Sequence, residues 1–137
     1  MKIYVKLFVC ISLCVFLTSC SLKTDADGKK LKDLDFTVVE EENISGELKN
    51  LIDSRKNEPF ETTFEEGDDL YIVKGYGTVT TGGYSIGVTK LYETEKCIVA
   101  KFDFMGPSKE EEITAGYTYP YIVIKLKKTG KPVKFKE

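Results

Sequence analysis

Apolar residues recur along this chain in three patterns. An unbroken block opens it, one stretch repeats at helical spacing, and most of the remainder alternates with a period of two. Alternation marks strands with one face buried, because successive side chains point to opposite sides of a pleated backbone. On this basis Leu34–Val39 is a first strand. Leu70–Val79 and Tyr84–Leu91 are two longer ones, the second with Tyr84, Ile86 and Val88 on one face. Ile98, Ala100, Phe102 and Phe104 alternate with Val99, Lys101 and Asp103. Pro120 divides what would otherwise be one strand from Thr114 onward, since proline cannot donate to a ladder. Beyond it Ile122, Ile124 and Leu126 face one way, and Tyr121, Val123 and Lys125 the other. Val133 and Phe135 end the chain in a short strand.

The helical stretch is Ser45–Lys56. Ser45 is placed to cap it, Leu48, Leu51, Ile52 and Arg55 share a stripe, and Asn57 and Pro59 stop it. Phe60–Asp69 is rich in carboxylates and reads as an acidic, turn-like segment, with Glu65-Glu66-Gly67-Asp68-Asp69 solvated by its own charges. The predicted fold is therefore mainly β. It is an antiparallel β-sandwich or partly open barrel of about six or seven strands, with one short N-terminal helix that makes it α+β. Strand spacing of roughly eight to twelve residues, with turn signals between, supports mostly antiparallel pairing.

The opening block changes the picture of where the chain resides. Lys2 and Lys6 precede an apolar run, Leu7–Leu17, of about eleven residues. That is short of the roughly 20 that cross a bilayer as a helix. Leu17-Thr18-Ser19-Cys20 follows, small residues before a cysteine, which resembles a bacterial lipobox. The resemblance implies a signal peptide at 1–19, lipidation of Cys20 and a membrane partner reached through that anchor. The location it implies is the extracytoplasmic face of the cell membrane. Two or more acyl chains hold a protein stably, at about 0.8 kcal/mol per buried methylene. Residues 20–32 are small, polar and charged and read as the lipidated cysteine and a flexible tether; the β-rich domain is then 33–137.

Charge and chemistry narrow the function. The full chain carries −2, and loss of Lys2 and Lys6 with the leader takes it to about −4, which argues against a nucleic-acid partner. From Val123 onward there are six lysines and one glutamate, suited to a solvated strand edge. There is no histidine, hence no imidazole base or zinc ligand. Three of the four cysteines lie in the leader and lipobox, leaving Cys97 as a buried thiol with no disulfide partner. No phosphate loop, dinucleotide fingerprint or nucleophile elbow occurs. Asp103, between Phe102 and Phe104, is the candidate among the carboxylates for an apolar setting, and alternation turns it to their opposite face. No catalytic residue, metal site or cofactor is expected, and the chain reads as a non-enzyme.

What remains is a candidate contact surface. Gly82-Gly83 between two alternating runs predicts a hairpin tip, because glycine supplies the positive φ that tight turns need. Thr80, Thr81 and Tyr84 flank it. Gly77, the run Thr81-Gly82-Gly83-Tyr84 with Ile86, and Thr118-Tyr119-Pro120-Tyr121 followed by Ile122-Val123-Ile124-Lys125-Leu126 together resemble the PrcB C-terminal family over about residues 70–127. That family is named for an accessory subunit of a surface protease complex. Thr80 stands where the family usually has proline. The resemblance implies an extracytoplasmic β-rich binding domain, often on a lipoprotein. Thr80, Thr81, Gly82, Gly83, Tyr84, Tyr119, Pro120 and Tyr121 would then be its partner-binding residues. Thr80-Thr81-Gly82 is also similar to the Thr-Thr-Gly-aromatic loop of chagasin-type protease inhibitors, with Gly83 as an extra residue before Tyr84.

The expected function is that of a surface lipoprotein binding a protease or another envelope protein. A chagasin-like inhibitor and a structural envelope lipoprotein are the alternatives. Replacing Cys20 by Ser is expected to abolish incorporation of labelled palmitate; label retained in the variant would place the anchor elsewhere.

Overall fold

The computed structural model describes residues 27–110 and 112–137. The leader at 1–19, Cys20 and the tether as far as residue 26 lie outside the described residues. The fold is mainly β, with no closed barrel. Its elements in chain order are β1 (Lys30–Asp33), β2 (Thr37–Val38), a 3₁₀ turn (Glu41–Asn43), α1 (Gly46–Arg55), β3 (Pro59–Glu66), β4 (Asp69–Tyr76), β5 (Val79–Thr81), β6 (Ser85–Thr94), β7 (Ile98–Met105), β8 (Ala115–Thr118), β9 (Tyr121–Lys127) and β10 (Val133–Lys136). Sheet A has the order β1-β6-β7-β10, sheet B has β2-β9-β4-β3, and β5 pairs with β8 in a separate ribbon.

The antiparallel pair β4–β9 sits at the centre, and both of its faces are buried. Leu70, Ile72, Ile122, Ile124 and Leu126 point to sheet A and meet Leu91, Ile98, Ala100 and Phe102. Val73 and Val123 point the other way and meet Ile44, Leu48 and Ile52 from the helix side. The result is three layers: sheet A, sheet B and α1. Register matches like with like, Ile72 opposite Ile124 and Val73 opposite Val123. Each fully buried aliphatic side chain contributes about 1.5–3 kcal/mol relative to its exposed state. The stripe read for α1 is buried at its apolar positions, with Leu48 and Ile52 inside and Leu51 half-buried, while Arg55 is exposed. Ser45 is the N-cap residue, but its hydroxyl is buried without a partner, so the cap is positional only.

Several elements differ from the sequence expectation. Ten strands form among the described residues, against six or seven expected. Phe60–Asp69 is not a turn: β3 pairs with β4 along its whole length, from Pro59 opposite Tyr76 to Glu66 opposite Asp69. Its carboxylates occupy the exposed face while Phe60 and Phe64 pack under α1, so a period-two pattern was hidden by charge. The two-residue hairpin of this chain is Gly67-Asp68, with Gly67 at φ 60°, the positive φ that a type II′ turn needs at its first central position. The expected arm Leu70–Val79 breaks at Gly77, where φ is 77° and the chain leaves sheet B. Two residues earlier, a Cβ on Gly75 would fall 2.2 Å from Phe60 Cε1, so only glycine leaves room for that ring. A bulge between Val88 and Lys90 then changes the parity of β6 and turns Leu91 into the core after Ile86 and Val88. Finally, β10 pairs parallel to β7 in an otherwise antiparallel sheet A.

The first strand also begins earlier than expected. Lys30–Asp33, all but Asp33 read as tether, pairs with Tyr92–Thr94 of β6. The Asp27 carboxylate forms ion pairs with Lys134 and Lys136 of β10, which ties the start of the domain to its end. Hydrogen bonds from Lys134 and then Lys136 hold the Asp27 carboxyl below its ordinary range. A lowered folded value means the clamp stabilises the fold above the unfolded value of about 3.9 and stops doing so as pH falls through the folded one. Thermal unfolding of the wild type and Asp27→Asn is expected to differ at pH 6 and to converge towards pH 2.5; a constant difference over that range would remove the carboxylate from the account.

Candidate functional site

The predicted contact residues fall on one end of the molecule, in an arrangement the sequence did not suggest. Gly82-Gly83 does not close a hairpin. β5 pairs with β8, Val79 opposite Thr118 and Thr81 opposite Ala115, whereas β6 belongs to sheet A. The Gly82 N–H donates to Thr114 O at 3.0 Å, and the Thr118 hydroxyl donates to Thr81 O at 2.9 Å. Gly83, at φ 88°, turns the chain from the ribbon into sheet A. The two glycines are a connector between layers, which still requires the positive φ but not a matched strand on the far side.

Tyr84 also takes part in packing. Its ring stacks on Phe104 at a centroid distance of 5.0 Å, and Phe104 stacks on Tyr76 at 4.1 Å. Tyr76 and Phe104 stand on the inner faces of sheets B and A, so the stack caps the interior of the sandwich where the ribbon departs. Burial, followed by the charges of Asp103 and Glu61, raises the Tyr76 hydroxyl above its usual value. Tyr84 is thus the outer ring of an aromatic stack as well as a flank of the tip, and remains half-exposed. Thr80 and Gly83 are exposed; Thr81 and Gly82 are half-buried.

At the root of the ribbon lies Tyr119-Pro120-Tyr121. The Pro120 carbonyl accepts from the Tyr76 N–H at 3.0 Å, locking the ribbon to the end of β4. Tyr119 is exposed, with the Lys56 ammonium 5.0 Å from its ring centre. Tyr121 packs into the helix-side core, where burial first and then Glu41 raise its hydroxyl. Glu40, Glu41, Ile44 and these three residues border an open groove of about 320 Å³. The ribbon therefore brings the tip and the tyrosine segment into one unit, tip at one end and tyrosines at the other.

Sequence reasoning missed the most exposed apolar groups here. Tyr117 on β8 is 73% exposed, Ile113 before it 54%, and Met105 at the end of β7 45%. A signal was present. Thr78–Thr89 and Ile113–Ile124 hold no charged residue in a chain where 31% of residues are charged, and these two stretches meet in the β5–β8 pair. Such an end can offer shape and hydrogen bonds. Among the described residues no group of three or more acidic or cysteine side chains is gathered to hold a metal. Cys97 is buried, its Sγ 3.5 Å from the Thr94 hydroxyl.

Residues 70–127 match the PrcB C-terminal family. The matched segment runs from β4 to β9 and contains the central strand pair, the ribbon and every predicted contact residue. Its limits coincide with those read from the motifs. No curated protein and no solved structure matches the chain.

Truncating Tyr84 to Ala is expected to lower stability by about 1–2 kcal/mol through lost stacking and exposed ring surface. Combined with Phe104→Ala, the losses should fall short of their sum by about 0.5–1.5 kcal/mol in a denaturant double-mutant cycle. Additive losses would mean that the rings do not act as one stack.

Proposed function

We propose that this chain is a non-enzymatic surface lipoprotein whose β-rich domain binds a protein partner, as an accessory subunit of an envelope protease. The observation that carries the reading is the ribbon. A two-stranded ribbon standing apart from both sheets buries little of its own, yet here it carries Tyr117, Ile113 and, at its base, Tyr119 exposed and without a charged residue among them. Exposed apolar side chains without charges among them suit a protein-contact site, and tyrosine provides rigid, amphipathic contact area at small entropy cost. The family match over 70–127 supports the protease-complex assignment. Thr80, Thr81, Gly82 and Gly83 extend the surface at one end, and Tyr119 and Pro120 at the other. Anchorage through Cys20 would present this end to partners at the membrane.

Capture of partners from envelope extracts on the full chain tests the reading. The wild type is expected to retain a protease or a protein associated with one. Tyr117→Asp and Ile113→Asp, both at exposed positions and so neutral for folding, are expected to lose it. An identical set of captured proteins with both variants would take the ribbon out of the interaction.

A further inference from the structure

A second feature of the domain concerns how a partner is held. Strand β6 runs from Ser85 to Thr94, but β1 covers only Tyr92–Thr94, and the Leu34 N–H adds one bond to Leu91 O. There the chain turns away to sheet B, where Thr37 pairs with Lys125. Ser85–Lys90 consequently have β7 on one side and, among the described residues, no strand on the other. An unpaired row of backbone donors and acceptors is a template for another strand.

The outermost strands of sheets A and B are otherwise guarded against such pairing. β3 carries Pro59, Glu61, Glu65 and Glu66; β10 carries Lys134 and Lys136 after Pro132; β1 carries Lys30, Lys32 and Asp33; β2 is two residues long. Short length, charge and proline are the usual means of blunting an edge. Ser85-Ile86-Gly87-Val88 has none of them, and the bulge at Thr89 and the charge of Lys90 follow it. Beside it lies an open groove of about 510 Å³, to which Leu34, Phe36 and Val88 contribute apolar surface and Lys30, Lys90 and Asp33 charge. Lys30 is paired with Asp33 at 2.7 Å, while Lys90 makes no ion pair among the described residues.

We infer that the Ser85–Lys90 edge of β6 is a strand-addition site for an extended segment of a protein partner, apolar at alternate positions and bearing a carboxylate for Lys90. Backbone bonds to β6 would supply affinity. Alternate side chains of the segment would lie over Leu34, Phe36 and Val88, which is how strand-addition sites obtain specificity. A second copy of this chain suits the edge less well. Self-pairing about Gly87 would set Tyr84 opposite Lys90 and bring no acidic group to it. The inference rests on the reading of the domain as a partner-binding module and deepens it.

The test uses the full chain in detergent micelles, panned against a displayed library of random twelve-residue peptides. Enriched peptides are expected to alternate apolar residues and to include Asp or Glu. On binding, those amides of Ser85–Lys90 that point away from β7 should gain at least tenfold protection from hydrogen exchange. Lys90→Glu, which reverses the charge offered to the segment's carboxylate at an exposed position, should weaken binding at least tenfold with an unchanged unfolding midpoint. Thr63→Lys on the guarded β3 edge should leave binding as it is. The inference is overturned if no peptide is enriched, if the binders leave those amides unprotected, or if Lys90→Glu binds equally well. It is likewise overturned if the free chain sediments as a dimer with those amides already protected, because the occupant is then a second copy. In each case, capture through Tyr117 and Ile113 stands or falls separately.

Discussion

The antiparallel pairing of β4 with β9 is the constraint from which the rest of the structure follows. Two adjacent strands with both faces buried must be apolar on every side chain that points to a layer. Leu70, Ile72 and Val73 face Leu126, Ile124 and Val123 across the pair and meet that demand. Sheet A is attracted to one face and α1 to the other, so a single pair of strands organises two cores. Loss of volume at Ile72 or Ile124 would be felt in the ladder and in the sandwich interior together, which is why these positions have no tolerance to spare.

The ribbon is a by-product of how this pair ends. β4 stops at Gly77 and β9 begins after Pro120; at both places the backbone leaves the ladder, one through a positive φ and the other for want of an N–H. The two departing chains meet as β5 and β8. The Tyr76 N–H to Pro120 carbonyl bond fastens their root, and the Tyr76–Phe104–Tyr84 stack seals the core beneath them. The rigid part of the fold thus supports an arm that contributes little to it. An element with few buried contacts is free to carry surface chosen for contact with something else.

Charge is distributed in agreement with this division of labour. Acidic residues gather on β3 and in the flanking turns, and lysines gather on β10, two of them engaged by Asp27. The ribbon and the first half of β6 carry no charge until Lys90. Desolvating charged side chains is costly, so a surface meant to be covered is cheaper to cover without them. The proposed docking of a partner through the ribbon and of an extended segment on β6 would both use this uncharged end, in two chemically distinct ways.

Much of the fold was legible in the residues alone. The alternation of β6, β7 and β9, the buried stripe of α1, the break at Pro120 and the solitary buried thiol are local facts, because a residue's face and its backbone freedom depend on its near neighbours. The absence of histidine likewise needs no coordinates. What the chain could not disclose is which strand lies beside which. Any extended segment presents the same row of N–H and C=O groups, so Val79–Thr81 had no local reason to choose β8 over β6, and Pro59–Glu66 no local reason to be more than a charged turn. Lys30–Asp33 became a strand only through a neighbour sixty residues away. Glycine carried the same ambiguity: Gly67 closes a hairpin, Gly77 ends a strand and Gly83 joins two layers, all with positive φ. Local pattern determined the faces, and long-range burial decided the neighbours, because backbone hydrogen bonding is indifferent to sequence while the packing of side chains between layers is not.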